Sequence, residues 1–257
     1  MDVGLFEKII EQVAPLTEQV TFHLMGEPLI HPQLEEFLNL CSHYKTPVFF
    51  VSNGALLTDK RAELLLHPII RQVNFSLHSF PDNFPEKDPA GYLGKIFAFT
   101  ERAFEMRPDL YINYRLWNLQ DTTMSTPQNE LMHTMIEKRF DVKICNEVNV
   151  KNQKSQKLLN RLYLHFDTEF TWPALDLPVI GSQGTCYGLD SHFGILAEGT
   201  VVPCCLDKEG KIPLGDANTT PILEILQSPQ AKVIVKGFQD RKLINPLCQR
   251  CDYVTRF

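Results

Sequence analysis

Four cysteines carry the chemistry most open to reading: Cys186, Cys204, Cys248 and Cys251. Seventeen residues separate Cys186 from Cys204, Gly199 stands five before Cys204, and Cys248 and Cys251 form a C-x-x-C pair. One cysteine from a loop, one from a hairpin end and a C-x-x-C pair can converge on one tetrahedral or cuboidal metal centre. The two-residue gap lets both sulfurs of the pair face one point. Soft thiolate sulfur suits zinc and iron–sulfur clusters alike. Cys205 adjoins Cys204, and adjacent strand residues point to opposite faces, so one of the two is expected to ligate. Spacing from Gly199 favours Cys204, and an exchange with Cys205 stays open. Cys41 lies on an apolar helical stripe and Cys145 has no neighbour in sequence, so both are expected to be core thiols. The odd total of seven cysteines argues against a disulfide framework. The eight histidines show no metal-ligand spacing. His31 and His67 each precede proline in loops and read as solvated or capping residues, whereas His78 shares a strand face with Ser76.

The elements that must position these residues alternate between helix and strand periodicity. Phe6, Ile9, Ile10 and Val13 recur at helical spacing, and so do Leu34, Phe37, Leu38 and Cys41. Strand patterns appear in "QVTFHLM", "PVFFVS", "QVNFSLHS" and "YINYRLWN", with helical patterns between them and in "PQNELMHTMIEKRF". This order argues for a parallel sheet covered by helices. The chain opens on a helix, although a right-handed βα series places a strand before it, so a first strand is missing. Residues 141–170 suggest one or two further strands. After Pro173 the character changes. "HFGILAEGTVVPC" reads as a β-hairpin, and two short helical segments follow it. The expected division is a barrel-like domain over 1–177 and a small α+β, cysteine-rich domain over 178–257.

Two strands present one polar face. Asn74, Ser76 and His78 oppose Val73, Phe75 and Leu77; Asn113, Arg115 and Trp117 oppose Ile112, Tyr114 and Leu116. Buried unpaired polar groups cost about 1–3 kcal/mol each, so such a face needs a bound polar ligand or an edge open to water. The turn Gly26-Glu27-Pro28 follows the first strand, and Ser52-Asn53 ends the second. Ligands of α/β sheets bind beyond the carboxyl ends of strands, which places Glu27 to accept hydrogen bonds from an amine.

Composition narrows the classes. With 44% hydrophobic and 22% charged residues over 257, the chain is globular, and its net charge of −6 makes a poor general nucleic-acid binder. No apolar run reaches the ~18 residues a bilayer requires, and the acidic, amphipathic start is no signal or transit peptide. A cytoplasmic protein is expected.

"FHLMGEPLIHP", "FFVSNGALLT" and "FSLHS" resemble, in order, three strand-end motifs of the radical S-adenosylmethionine enzymes. The C-x12-G-x4-C and C-x2-C arrangement resembles the auxiliary-cluster module SPASM, or its shortened form, Twitch. The resemblance covers nearly the whole chain and implies a partial (β/α)6 TIM-like barrel with a Twitch/SPASM-like domain. It implies that Gly26, Glu27 and Pro28 hold the cofactor's amino group, and that Ser52, Asn53, Ser76 and Arg115 contact its carboxylate or ribose. It further implies an auxiliary 4Fe–4S cluster on Cys186, Cys204, Cys248 and Cys251. The full SPASM pattern continues with a cysteine where Phe257 stands, so one auxiliary cluster is expected. The family's catalytic C-x3-C-x2-C motif is absent from this sequence. The expectation is an N-terminally truncated form, inactive as it stands. In full length the resemblance implies cleavage of S-adenosylmethionine to a 5′-deoxyadenosyl radical and hydrogen abstraction from a peptide or small metabolite. A flavodoxin or ferredoxin would serve as reductant, and neither nucleic acid nor membrane is a partner.

The alternative is a non-catalytic module with structural zinc or a single cluster that binds a partner or nucleotide. A C-x-x-C redox protein fits less well, since that pair normally starts a helix after a strand.

Overall fold

The computed structural model describes residues 1–120, 126–145, 149–151 and 153–257. The chain forms two compact units. One is Glu18–Glu169; the other joins Met1–Thr17 to Phe170–Phe257.

The first unit contains β1 (Val20–Phe22), α2 (Leu34–His43), β2 (Val48–Ser52), α3 (Asp59–Leu65), β3 (Ile70–Ser76), α4 (Ser79–Asn83), α5 (Ala90–Met106), β4 (Tyr111–Leu119), α6 (Pro127–Phe140), β5 (Ser155–Leu159) and β6 (Leu162–Thr168). Its six strands lie in the order β1-β2-β3-β4-β6-β5. β1 to β4 and β6 run parallel, and β5 returns antiparallel to β6. The period-two patterns explain the burial. Val73, Phe75, Leu77, Ile112, Tyr114 and Leu116 are all fully buried against the covering helices. Side chains cap the helices where the sequence offers them: Thr58 accepts the Arg61 N–H and Thr126 the Asn129 N–H. The strands suggested within 141–170 are β5 and β6.

The second unit holds α1 (Val3–Val13) and the antiparallel sheet β7 (Gly194–Ile195), β8 (Thr200–Val202) and β9 (Gly215–Asp216), followed by α7 (Ile222–Leu226) and α8 (Pro229–Gln239). The expected hairpin is β7–β8, with Gly194 opposite Val202. α1 buries Phe6, Ile9, Ile10 and Val13, and its Gln12 Oε1 accepts the Ile222 N–H at 2.8 Å. Lys8 Nζ donates to the Asn218 carbonyl. Helix α1 therefore belongs with the cysteine-bearing residues, not with the strand that follows it. No described helix is long and apolar enough to cross a membrane.

One expectation is corrected. Cys41 is fully buried, but Cys145 is exposed. Its backbone N–H donates to Gln156 Oε1 on β5, the edge strand of the sheet, so its segment runs along that edge outside the core.

Candidate cofactor and cluster sites

The carboxyl ends of β1 to β4 in the first unit bring the polar residues together. Met25 (φ 45°) and Gly26 (φ 143°) both take positive φ and turn the chain sharply after β1. Nothing occupies the space of a Cβ at Gly26, so its backbone angle, not crowding, calls for glycine. The turn swings Glu27 toward β2. Glu27 Oε1 accepts the Ser52 hydroxyl at 2.9 Å and the Leu29 N–H at 3.1 Å; Oε2 accepts the Asn53 N–H at 2.7 Å. A carboxylate offers about four acceptor positions, so these three bonds leave room for one more donor, on Oε2.

Ser52 is 2% exposed, and its Oγ also accepts the Gly54 N–H at 2.9 Å. Its hydroxyl is thus committed to Glu27. Asn53 Oδ1 accepts the Ala55 N–H, which leaves the amide NH2 as the donating end of that side chain. The buried Tyr92 of α5 donates its hydroxyl to the Asn53 carbonyl at 2.7 Å. Burial, with the nearby charge of Glu27, pushes the Tyr92 phenol up, so it stays a donor at any working pH.

Along β3, β4 and β6 the polar face has two rows. In the deeper row Asn74 pairs with Asn113, and Asn74 Oδ1 accepts from Asn113 Nδ2 and Gln72 Nε2, each at 2.8 Å. Asn74 Nδ2 donates to the Phe50 carbonyl. Both ends of the Asn74 side chain are thus occupied by protein partners. The row nearer the carboxyl ends aligns Ser76, Arg115 and His165. The Arg115 guanidinium lies 4.4 Å from the Trp117 ring centre, and His78 stacks parallel to Trp117 at 6.5 Å. His78 Nδ1 meets the Arg115 carbonyl at 3.0 Å. Burial first, and then the Arg115 charge, hold the His165 imidazole below its ordinary pKa. Sequence pattern places Trp117 on the polar face but gives it no role, and it singles out neither His165 nor Tyr92. His165 and Trp117 share the polar period of their strands, but nothing in the helical pattern of α5 distinguishes Tyr92.

In the second unit the four cysteines gather. The Cys248 thiol is pushed up to about 12, by burial first and then by the neighbouring Cys204, Cys186 and Cys251 thiols and the Asp207 carboxylate. Burial likewise pushes Cys204 to about 12 and Cys251 to about 11, and raises Cys186. A Cβ at Gly188 would stand 3.8 Å from Cys186 Sγ and 3.6 Å from Cys204 Cβ, so both cysteines flank one backbone point. The Gly188 N–H donates to Cys186 Sγ at 3.4 Å, and backbone N–H groups near Cys204 and Cys251 offset part of the effect of burial there. Such donors stabilise thiolate sulfur, as a metal-bound cysteine requires. Cys205 lies near Cys186 and Cys204 but is not among the groups acting on Cys248.

Four thiols are donors that suit an iron–sulfur cluster or a zinc ion.

Comparison with known proteins bears on the cysteine domain and on the fold. Residues 186–252, which span all four cysteines, match the family model SPASM, an iron–sulfur cluster-binding domain. An 84-residue stretch is 30% identical to the S-adenosyl-L-methionine-dependent 2-deoxy-scyllo-inosamine dehydrogenase of Niallia circulans; it covers 31% of this chain and about a third (33%) of that protein's length. Among solved structures, BtrN in complex with AdoMet and 2-DOIA superposes over 98% of this chain and 80% of its own (TM-score 0.56, 16% identity). Streptococcus suis SuiB bound to precursor peptide SuiA superposes over 99% of this chain and 66% of its own (TM-score 0.60, 14% identity). At such identities these structures speak to the fold alone. The chain thus carries a match to the SPASM iron–sulfur cluster-binding domain at residues 186–252 and shares the fold of BtrN and SuiB.

Proposed function

We propose that the chain is the greater part of a radical S-adenosylmethionine enzyme. In this reading it binds the cofactor at the carboxyl ends of β1 to β4 and a 4Fe–4S cluster at Cys186, Cys204, Cys248 and Cys251. The observation that carries the reading is the grouping of those four cysteines, one buried and three half-buried, each thiol raised by burial and Cys248 also by the other three. Glu27 Oε2 takes the amino group of the cofactor's methionine, on the acceptor position left beside the Asn53 N–H. Gly26 and Pro28 shape the turn that presents it. Asn53, Ser76 and Arg115 meet the carboxylate or ribose, and Ser52 acts through Glu27. When bound beside a reducing cluster, S-adenosylmethionine supplies a 5′-deoxyadenosyl radical able to abstract hydrogen from a substrate. The C-x3-C-x2-C motif for that reducing cluster does not occur in these 257 residues. The barrel's part is to orient the reactants and to exclude water from the reacting centre.

The substrate is a peptide or a small metabolite. SuiB is bound to a precursor peptide and BtrN to 2-DOIA, so both classes are compatible with this architecture. A flavodoxin or ferredoxin serves as electron donor, and the cytoplasm is the compartment. Anaerobic reconstitution with iron and sulfide tests the reading. About four irons per chain, with the charge-transfer absorbance of an iron–sulfur cluster, are expected. Stoichiometric zinc with no such absorbance would favour the structural-zinc module instead.

A further inference from the structure

A continuous hydrogen-bond chain runs from α5 to the Glu27 carboxylate. Tyr92 Oη donates to the Asn53 carbonyl at 2.7 Å. The N–H of the same peptide group, on Gly54, donates to Ser52 Oγ at 2.9 Å. Ser52 Oγ donates in turn to Glu27 Oε1 at 2.9 Å. Every donor and acceptor in this series belongs to a buried or half-buried residue. In such surroundings each hydrogen bond polarises the next, so removing the first donor weakens the last contact.

The packing holds this path in place. Gly54 takes φ 72° and lies close against α5, where an added Cβ would stand 2.8 Å from Ile96 Cδ1. The Tyr92 ring stacks on Phe80 of α4 with centroids 4.3 Å apart and planes 18° apart. Phe80 follows the end of β3, so Tyr92 braces the ends of β2 and β3 at once.

We infer that Tyr92 is a positioning residue for the cofactor's amino group: it fixes the Asn53–Gly54 peptide, which orients Ser52, which orients Glu27. The inference rests on the cofactor reading of Glu27 proposed above. Tyr92 touches neither the amine nor the reacting atoms and acts only through the peptide.

Calorimetric titration of the iron- and sulfide-loaded chain with S-adenosylmethionine tests it, using Glu27→Ala, Ser52→Ala, Tyr92→Phe and the Ser52→Ala/Tyr92→Phe double variant. Tyr92→Phe is expected to weaken binding about three- to tenfold, the scale of one lost neutral hydrogen bond. The double variant should bind no more weakly than Ser52→Ala alone, because both changes cut one path. Multiplying effects, or unaltered binding by Tyr92→Phe, would overturn the inference.

Amide hydrogen exchange provides a readout that needs no cofactor. In Tyr92→Phe the Gly54 amide should exchange about tenfold faster, while the β2 ladder amides keep their rates. Unchanged Gly54 exchange, or a uniform acceleration along β2, would contradict a directed path. Should Glu27→Ala leave S-adenosylmethionine binding intact, the cofactor reading falls, and the exchange result still decides the role of Tyr92.

Discussion

The main-chain N–H of Asn53 donates to Glu27 Oε2 at 2.7 Å, joining the turn after β1 to the end of β2 across twenty-six residues of sequence. Beside it Ser52 holds Oε1. Both carboxylate oxygens are thereby fixed in direction, with one acceptor position left on Oε2.

Glu27→Gln tests that acceptor. An amide in place of the carboxylate must turn one NH2 toward a backbone N–H or toward the arriving amine. Loss of a hydrogen bond to a charged group costs about 1.5–3 kcal/mol, or roughly 10- to 100-fold in affinity. Titration of wild type and variant with S-adenosylmethionine reads the difference, and equal affinities would remove Glu27 from the site.

The cysteines give a second prediction. Serine at Cys186, Cys204, Cys248 or Cys251 should each lower iron content and cluster absorbance sharply. Cys205→Ser should retain both, since Cys205 does not act on Cys248. Loss of the cluster in Cys205→Ser with retention in Cys204→Ser would exchange the two roles.

Helix α1 gives a third. Ile10 is 1% exposed within the cysteine-bearing unit, so Ile10→Ala should cost about 2–5 kcal/mol there. Bleaching of the cluster on heating should begin at lower temperature than in wild type. Unaltered bleaching would show that α1 does not support this unit.

His78 makes stability depend on pH. Burial, with a smaller effect of the Arg115 guanidinium, holds its imidazole below the ordinary value, against the Arg115 carbonyl and the Asp82 and Glu169 carboxylates. The unfolded chain, with a histidine pKa of about 6.5, therefore takes up a proton before the folded one does. The contribution is full above that value and is lost as pH falls through it toward the folded-state value. Urea midpoints of wild type should drop between neutral and mildly acidic pH more than those of His78→Gln. Comparison with this variant isolates His78 from His67, His165 and His192, whose pKa values are lowered too. Parallel curves would mean that the His78 proton does not couple to folding.

Local pattern made much of this protein legible. Period-two alternation in "VNFSLHS" and "YINYRLWN" assigned inner and outer faces, since neighbouring strand side chains must diverge. Cysteine spacing made Cys186, Cys204, Cys248 and Cys251 a single set, and positive φ after β1 is what Gly26 allows most readily. Other features depend on contacts between residues far apart in sequence. Chain order attaches α1 to the strand after it, yet it groups with Phe170–Phe257, and its Gln12 accepts the N–H of Ile222, two hundred and ten positions away. The polar face looked in need of a ligand, and register between β3 and β4 supplies Asn74 Oδ1 with two protein donors, Gln72 Nε2 and Asn113 Nδ2. Cys145 looked like core until the edge position of β5 left it exposed. Tyr92 lies in an ordinary helical pattern, and only packing brings its hydroxyl to the Asn53 carbonyl. Periodicity determines which way a side chain faces; what it meets there is decided by the tertiary structure, because the partner's position depends on how every other element packs.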